Sequence, residues 1–193
     1  MTNRISRLPL LAAMALLAAL TLVACGGGTK DPTAHGEGEG SYIQAGPLIY
    51  QVQMSRELNP RNVEDVEYLQ GLSTNTPRLA GDEEWFGVWL RVQNATDELH
   101  PSASDFRIVD TTGEEYEPIA LPATNPYTYQ PTAVESADGQ PVKPDPESGA
   151  GSGPIQGSML LFRLNTSVYA NRPLELEITP PGGGEPSTVV LDL

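Results

Sequence analysis

The chain of 193 residues offers few side chains that could carry catalysis. Its two histidines are His35 and His100, and a Ser-His-Asp triad would need one of them as a positioned base. His100 precedes a proline in a predicted connecting loop, and His35 lies in a glycine-rich stretch, so we expect both to be solvated. The acidic pairs of the chain are too many for spacing alone to select two glycosidase carboxylates. These residues favour a protein that is not an enzyme.

The sequence also predicts no resident metal ion or cofactor. Zinc takes clustered cysteine and histidine ligands, and two histidines in separate segments do not form such a cluster. Copper(I) prefers sulfur and imidazole ligands, but Met54 and Met159 fall in predicted strands, where methionine commonly fills a core. Residues 110–117 are acidic but lack the spacing of a calcium-binding EF-hand loop.

The only cysteine, Cys25, stands where an apolar run ends and a glycine run begins. The chain opens with Arg4 and Arg7, continues in an apolar stretch over 8–23 and reaches the cysteine in the letters LVAC. A basic start, an apolar middle and small residues before a cleavage point are typical of a secretory signal. The LVAC ending resembles the lipobox of bacterial lipoprotein precursors, which implies removal of residues 1–24 and a diacylglyceryl group on Cys25. An uncleaved membrane anchor over 8–23 is the alternative.

Lipidation would account for a lone thiol in an exported chain. A single cysteine has no partner for an intramolecular disulfide, and an exposed thiol is prone to oxidation outside the cytoplasm. Two acyl chains anchor a protein stably, so we expect the chain to be attached through Cys25 to the extracytoplasmic face of a cell membrane. Residues 25–45, rich in glycine and without apolar periodicity, predict a flexible tether, and residues 46–193 predict one folded domain.

Acidic residues outnumber basic ones by 25 to 11. Loss of residues 1–24 would remove Arg4 and Arg7, so the formal charge would fall from −14 to −16. Such a charge repels the phosphates of nucleic acids, and DNA and RNA are therefore excluded as partners. The acids are spread along the chain, which indicates a solvated surface rather than an acidic tail.

Alternating apolar residues predict the short strands that would position any site. The pattern is clearest in EWFGVWLRVQN, where Phe86, Val88, Leu90 and Val92 form one face. LIYQVQM predicts a strand with Met54 on its apolar face, and PIQGSMLLFRL, apolar on both faces, predicts an interior strand. Further strands are predicted in DFRIVD, in EEYEPI and in a C-terminal hairpin of LELEIT with STVVLDL.

Turn and helix signals separate these strands. Helical spacing over 60–69, behind Asn59 as the cap, predicts one short helix with Val63 and Val66 on its apolar face. Residues 110–113 predict a hairpin turn that ends in a glycine, and the proline-rich segment 121–153 predicts a long loop. About seven short strands with almost no helix predict an all-β, immunoglobulin-like antiparallel β-sandwich.

Four blocks of the chain resemble a telokin-like immunoglobulin-fold family of secreted and lipid-anchored proteins in Gram-positive bacteria. The blocks are FGVWLRVQN, SDFRIVDTTGEEYEP, GPIQGSMLLFRL and RPLELEI, in this order behind the lipobox. The positions that match the family's pattern are Asn94, Phe106, Gly113, Tyr116 and Gly157. The resemblance covers residues 84–193 and departs at 59–83 and 121–153, which are longer than the pattern. It implies a fold and an extracytoplasmic location, and it brings no catalytic residues.

The strand around Gly87 also predicts a binding surface. If the Phe86 face is the core, Trp85 and Trp89 point outward beside Arg91, and tryptophan is enriched at contact hot spots. Gly87 between the two tryptophans would leave a shallow slot. An open face of this kind predicts that Trp89→Ala abolishes partner capture without unfolding the domain. The alternative is that the 121–153 loop folds back and covers both tryptophans.

A second predicted binding element is NPYTYQP, in which prolines flank Tyr127 and Tyr129 and lower the entropy lost on binding. Here the alternative is a solvated or self-packed loop. The sequence thus favours a non-catalytic interaction or assembly module of the cell envelope with a protein partner. One alternative is a protein that delivers a ligand or copper to an exported enzyme complex. The other is an envelope hydrolase.

Overall fold

The computed structural model describes residues 31–134, 141–143, 152 and 155–192. The described residues do not include the predicted signal over 1–24 or Cys25. They also do not include residues 135–140, 144–151 and 153 of the predicted 121–153 loop. The described elements are, in chain order, β1 His35–Gly36, β2 Ile43–Ala45, β3 Leu48–Leu58, helix α1 Val63–Tyr68, β4 Glu83–Asn94, β5 His100–Pro101, β6 Asp105–Val109, β7 Glu115–Tyr116, β8 Ala133–Val134, β9 Pro141–Lys143, β10 Ser158–Asn165, the 3-10 turn Thr166–Tyr169, β11 Leu174–Thr179 and β12 Ser187–Leu191.

Two sheets contain most of these strands. Sheet A has the order β10-β4-β3-β2, with β9 paired to β4 where β10 has ended, and sheet B has the order β1-β12-β11-β6-β7. Strands β5 and β8 form a separate antiparallel pair. Apolar side chains of both sheets meet in one core, so the prediction of an all-β sandwich is confirmed. The pairing of β1 with β12 is parallel, which departs from the antiparallel arrangement that the sequence predicts.

The core between the sheets follows the predicted alternation. Phe86, Val88, Leu90 and Val92 are fully buried and share one face of β4. The side chains that face them from sheet B are Phe106, Ile108, Leu174, Leu176, Ile178, Val189 and Leu191. Strands β11 and β12 pair as the predicted C-terminal hairpin. Burial of apolar surface, at about 25 cal/mol per Å², is the main contribution that stabilises this arrangement.

The hairpin between β6 and β7 turns at residues 110–113 as predicted. Gly113 has a φ of +84°, and its N–H donates to the carbonyl of Asp110 at 3.0 Å. Asp110 Oδ1 accepts from the hydroxyl of Thr112 at 2.6 Å and from the N–H of Glu114 at 3.1 Å. The hydrogen bonds, led by that of Thr112 and joined by one from Asn171, outweigh burial and lower the pKa of Asp110 to about 2.

Strand β3 contains a β-bulge that overturns one predicted face. Leu48, Tyr50 and Val52 lie in the core between the sheets, as predicted. The register shifts between Val52 and Met54, and Met54 then pairs with Trp89 on the opposite face of sheet A. A bulge inserts one extra residue, so the side chains beyond it change face. The prediction that Met54 shares the face of Val52 is therefore wrong.

Strand β10 is apolar on both faces, as predicted, but it ends sheet A rather than lying inside it. One edge pairs with β4, and the other makes isolated bridges at Met159 and Leu161. Leu160 and Phe162 pack between the sheets, whereas Met159 and Leu161 pack in a second cluster on the other side of sheet A. Burial on two faces therefore reflects two clusters and not an interior position in the sheet.

Residues 33–45 contribute to the sandwich, so the predicted tether is wrong over these residues and the predicted domain start at 46 is too late. Strand β1 pairs with β12, and Nδ1 of His35 lies 3.0 Å from the hydroxyl of Thr188. Strand β2 pairs with β3 and buries Ile43 and Ala45 completely. The compact unit begins at Asp31. Composition alone could not reveal this, because the partner of β1 is the last strand of the chain.

The described part of the predicted 121–153 loop makes specific contacts with the sandwich. Ala133–Val134 pairs with β5, and Pro141–Lys143 pairs with β4.

No helix among the described residues is long and apolar enough to cross a membrane.

Candidate functional site

Trp85 and Trp89 lie on the face of sheet A that points away from sheet B, as predicted, but neither is open to solvent. Their exposed fractions are 6% and 0%. They belong to a second apolar cluster, here called the outer cluster, whose other buried members are Leu58, Tyr68, Leu121, Met159 and Leu161. The open tryptophan face is therefore wrong, and the alternative of a covered face is the observed one. Gly87 leaves no slot, because a Cβ there would lie 2.7 Å from Cη2 of Trp89.

Residues 119–129 supply much of this cover. The N–H of Ile119 donates to the carbonyl of Leu161 at 2.6 Å, which joins the segment to the free edge of β10. The buried side chain of Asn125 donates through Nδ2 to the carbonyl of Tyr68 at 2.9 Å and to that of Gln70 at 3.0 Å. One asparagine thus ties the proline-rich segment to the end of helix α1.

Helix α1 supplies further cover through Tyr68, in an orientation opposite to the predicted one. The short helix is confirmed, but its cap is Asn62 rather than Asn59, and Asn62 Oδ1 accepts from the N–H of Glu64 at 3.0 Å. Asp65 and Tyr68 are the buried residues of the helix. Val63 and Val66, which the periodicity assigns to the buried face, are 83% and 46% exposed.

A charged and aromatic network explains why the helix buries a carboxylate. Arg56 donates from Nη2 to Asp65 Oδ1 at 2.6 Å, and the N–H of Asn59 donates to Asp65 Oδ2 at 2.9 Å. Burial alone would raise the pKa of Asp65, but these two hydrogen bonds and the charge of Arg56 lower it. The Arg56 guanidinium carbon lies 5.5 Å from the ring centroid of Trp89 and 6.0 Å from that of Tyr68.

An open groove of about 640 Å³ runs beside this network and is here called the α1 groove. The residues that line it are Met54, Arg56, Asn62, Val63, Glu64, Asp65, Glu67, Tyr68, Tyr127 and Ile155. Met54, at 37% exposed, and Val63 give it an apolar surface that is open to solvent. Because the bulge in β3 and the cap at Asn62 turn these two side chains outward, the groove joins exposed apolar atoms to a fixed polar network.

The rim of the α1 groove is acidic. Glu64 and Glu67 are both exposed, and neither forms an ion pair with another described residue. The hydroxyl of Tyr127 donates to Glu67 Oε2 at 3.3 Å. Burial, and after it the charge of Glu67, raise the pKa of Tyr127. Asp65 is neutralised internally by Arg56, so the two rim glutamates carry the negative charge that a partner would meet.

The two predicted tyrosines separate in the structure. Tyr127 is half-buried, lines the α1 groove and packs its ring 4.6 Å from that of Tyr68. Tyr129 is buried in the core between the sheets, where its hydroxyl donates to the carbonyl of Ala103 at 2.9 Å and burial raises its pKa strongly. Tyr129 is therefore a core residue and not a contact residue. Arg91 is half-buried on β4 and does not line the groove.

The sequence does not predict Met54, Val63 and the two rim glutamates as residues of a binding site, although all four line the α1 groove. A cap at Asn62 is readable from the sequence, because acidic residues at 64 and 65 in the following turn favour a helix N-terminus there. That reading would have moved the helix start and turned Val63 outward. The bulge that exposes Met54 leaves no signal in the alternation of the sequence.

Neither histidine lines the α1 groove: His35 lies in β1 and His100 in β5. Among the residues that the structure describes, no group of three or more histidine, cysteine or acidic side chains is arranged to hold a metal ion.

Glu84 is, like Asp110, a buried carboxyl outside the groove. Glu84, near the start of β4, accepts from the hydroxyl of Tyr169 at 3.1 Å through Oε2. Its Oε1 is buried and makes no hydrogen bond to any of the described residues. Burial raises the pKa of Glu84, the Tyr169 hydrogen bond opposes the rise, and the charge of Glu57 adds to it. Burial and Glu84 together raise the pKa of Tyr169 to about 12. The folded chain therefore disfavours the ionised form of Glu84.

Comparison with known proteins gives no family. No family model matches the chain, and no curated protein matches it. Similar solved structures include a Bacillus subtilis protein described as a lipoprotein (ycdA), with a TM-score of 0.49 and 14% identity over 80% of this chain and 38% of that one. Another is an uncharacterized β-sandwich protein of Clostridium difficile, with a TM-score of 0.42 and 11% identity over 85% of this chain and 98% of that one. The chain spans well under half of the first protein's length. The telokin-like family stays a prediction.

Proposed function

We propose that the protein is a lipid-anchored, extracytoplasmic interaction module that binds an envelope protein through the α1 groove and has no catalysis of its own. The observation that carries the proposal is the exposure of Met54 and Val63, two apolar side chains that line one acidic groove. Apolar side chains that cluster on a surface within a polar rim are typical of interaction sites. They are costly to leave in water, so a partner that covers them gains the free energy of their burial.

The rigidity of the groove supports the same function. Its floor is held by the ion pair between Arg56 and Asp65 and by the edge-on packing of Tyr68 against Trp89, whose ring centroids are 5.0 Å apart. Asn125 fixes the adjoining segment through two hydrogen bonds. A surface that is ordered before binding loses little conformational entropy when a partner arrives.

The sequence supports the location. The basic start of the chain, the apolar run over 8–23 and the LVAC ending indicate cleavage before Cys25 and acylation of its sulfur. Two acyl chains would then hold the sandwich at the outer surface of the membrane.

The location is tested by the mass of the N-terminal peptide of the mature protein and by cell fractionation. We expect a mature protein that begins at Cys25 and carries a diacylglyceryl group on it, and a Cys25→Ser variant that lacks this group and keeps residues 1–24. An unmodified N-terminal peptide in the unchanged protein, or a Cys25→Ser variant that is cut before residue 25 as before, would contradict the lipid anchor.

The interaction is tested by chemical cross-linking in intact cells of the native host, followed by detergent extraction and mass spectrometry. Val63→Ser removes an exposed apolar side chain of the groove, and Leu99→Ser is the matched control, because Leu99 is 61% exposed and does not line the groove. We expect a stoichiometric partner whose recovery falls with Val63→Ser and not with Leu99→Ser. Equal recovery from the two variants would remove the α1 groove from the interface.

A further inference from the structure

We infer that the α1 groove recognises a basic polypeptide segment that carries large apolar side chains between its lysines or arginines. This inference rests on the proposed function and adds the chemical class of the partner. It follows from two properties of the groove that point to the same ligand: an exposed apolar surface and an acidic rim whose two glutamates form no ion pair with any described basic side chain.

The apolar surface sets the first requirement. Met54 and Val63 are exposed beside the half-buried ring of Tyr127 and the edge of Tyr68. A groove of about 640 Å³ has room for one or two large side chains and lies within the roughly 300–1,000 Å³ of ordinary ligand sites. Leucine, isoleucine or phenylalanine side chains would remove this surface from water. Lysine and arginine stems could also lie along it, because their methylene groups are apolar.

The rim sets the second requirement. Glu64 and Glu67 stand on the exposed side of helix α1, within one turn of Val63 and Val66. The one arginine that lines the groove, Arg56, is engaged with Asp65 and lies over two aromatic rings, so it does not offset the rim charge. A cation that reached this rim would meet two carboxylates. An acidic segment would meet the same two charges as repulsion.

A second copy of the chain fits the groove poorly. The formal charge of the whole chain is −14, and an isologous contact would bring the same two glutamates of each copy together. The net charge would instead attract a basic partner at distances of about one Debye length, roughly 8 Å at physiological ionic strength.

The test measures binding of fluorescent peptides to the full chain purified in a nonionic detergent. Three peptides of equal length contain leucine with lysine, leucine with glutamate, or serine with lysine. Glu64→Lys tests the rim, and Glu185→Lys is its control, since Glu185 is exposed outside the groove and the net charge changes equally. Val63→Ser and Leu99→Ser form the matched apolar pair.

We expect the leucine–lysine peptide to bind most tightly. Val63→Ser should weaken that binding about fivefold and Leu99→Ser should leave it unchanged. Glu64→Lys should weaken it about fivefold at low ionic strength, and less at high ionic strength, whereas Glu185→Lys should have a much smaller effect.

The outcomes separate the partner's class from the proposed function. Equal binding of the leucine–glutamate peptide, or equal effects of Glu64→Lys and Glu185→Lys, would overturn the basic class and leave the groove as an interface. Equal binding of the serine–lysine peptide would reduce the contact to general charge attraction and overturn the inference. Equal effects of Val63→Ser and Leu99→Ser would count against the groove itself and therefore against the proposed function too.

Discussion

Replacement of Trp89 by alanine distinguishes a covered tryptophan from an exposed hot spot. Trp89 is fully buried, and its ring packs edge-on against Tyr68 and beneath the guanidinium of Arg56. Tryptophan to alanine changes in cores cost about 3–5 kcal/mol through lost transfer free energy and the cavity left behind. That range already includes the lost aromatic pair with Tyr68 and the lost cation–π contact with Arg56, so we expect a loss of about 4 kcal/mol.

The assay is urea unfolding of the full chain, followed by far-ultraviolet circular dichroism. Trp89→Phe is the matched control. It keeps an aromatic ring, and it removes an indole N–H that makes no hydrogen bond within the described part of the chain, so its cost should be much smaller. A loss below about 1 kcal/mol for Trp89→Ala, typical of surface positions, would refute the burial of this ring. The exposed-face hypothesis makes the opposite prediction, loss of partner capture in a domain that stays folded.

Three further predictions concern stability. Gly87→Ala should cost about 1–3 kcal/mol in urea unfolding, because its Cβ would lie 2.7 Å from the Trp89 ring, and a neutral result would contradict that close packing. The pKa of Asp110 is lowered to about 2 from 3.8, so its contribution of about 2 kcal/mol should be complete above pH 4 and lost as the pH falls through 2. Asp110→Asn should therefore destabilise the chain at neutral pH and progressively less in acid. A difference in the free energy of unfolding that does not change with pH would contradict the lowered pKa of Asp110. The pKa of Glu84 is shifted in the opposite direction, upward from 4.5, so the ionised side chain destabilises the fold at neutral pH. Glu84→Gln should therefore stabilise the chain at neutral pH, and this gain should disappear below pH 4.5. A loss of stability at neutral pH would show instead that the folded chain stabilises the charge of Glu84.

Local patterns in the sequence predict the sandwich well. The alternation in β4 assigns Phe86, Val88, Leu90 and Val92 to the core, and the glycine at 113 marks a turn that requires a positive φ. These features depend on neighbours within a few residues, so that a single sequence contains the information. The C-terminal hairpin is predictable for the same reason, since its strands are adjacent in the chain.

Features that depend on distant contacts were not predictable. The second face of β4 carries Trp85 and Trp89, and a sequence cannot say whether a partner or the chain's own residues 119–129 cover them. Strand β1 forms through pairing with β12, which its glycine-rich composition does not suggest. The α1 groove depends on a bulge in β3 and on a buried ion pair between Arg56 and Asp65, and each becomes visible only when the strands and the helix are in place.

The outer cluster changes the meaning of the two tryptophans. They do not line the α1 groove themselves. Trp89 instead packs beneath two residues that do line it, Tyr68 and Arg56. Helix α1, which has only six residues, is too short to be stable alone and is held by these contacts. Variants of Trp89 should therefore reduce binding through loss of the helix, and only variants of exposed residues such as Val63 report on the interface directly.

Binding of a partner in the α1 groove is tested most directly by photo-cross-linking in intact cells with a photoreactive amino acid at position 63. The same amino acid at position 99 is the control, because Val63 and Leu99 are both exposed and only Val63 lines the α1 groove. We expect one discrete adduct with an extracytoplasmic protein from position 63, none from position 99, and cross-linked peptides rich in lysine or arginine. No adduct at position 63, or similar adducts from both positions, would contradict the α1 groove as the binding surface.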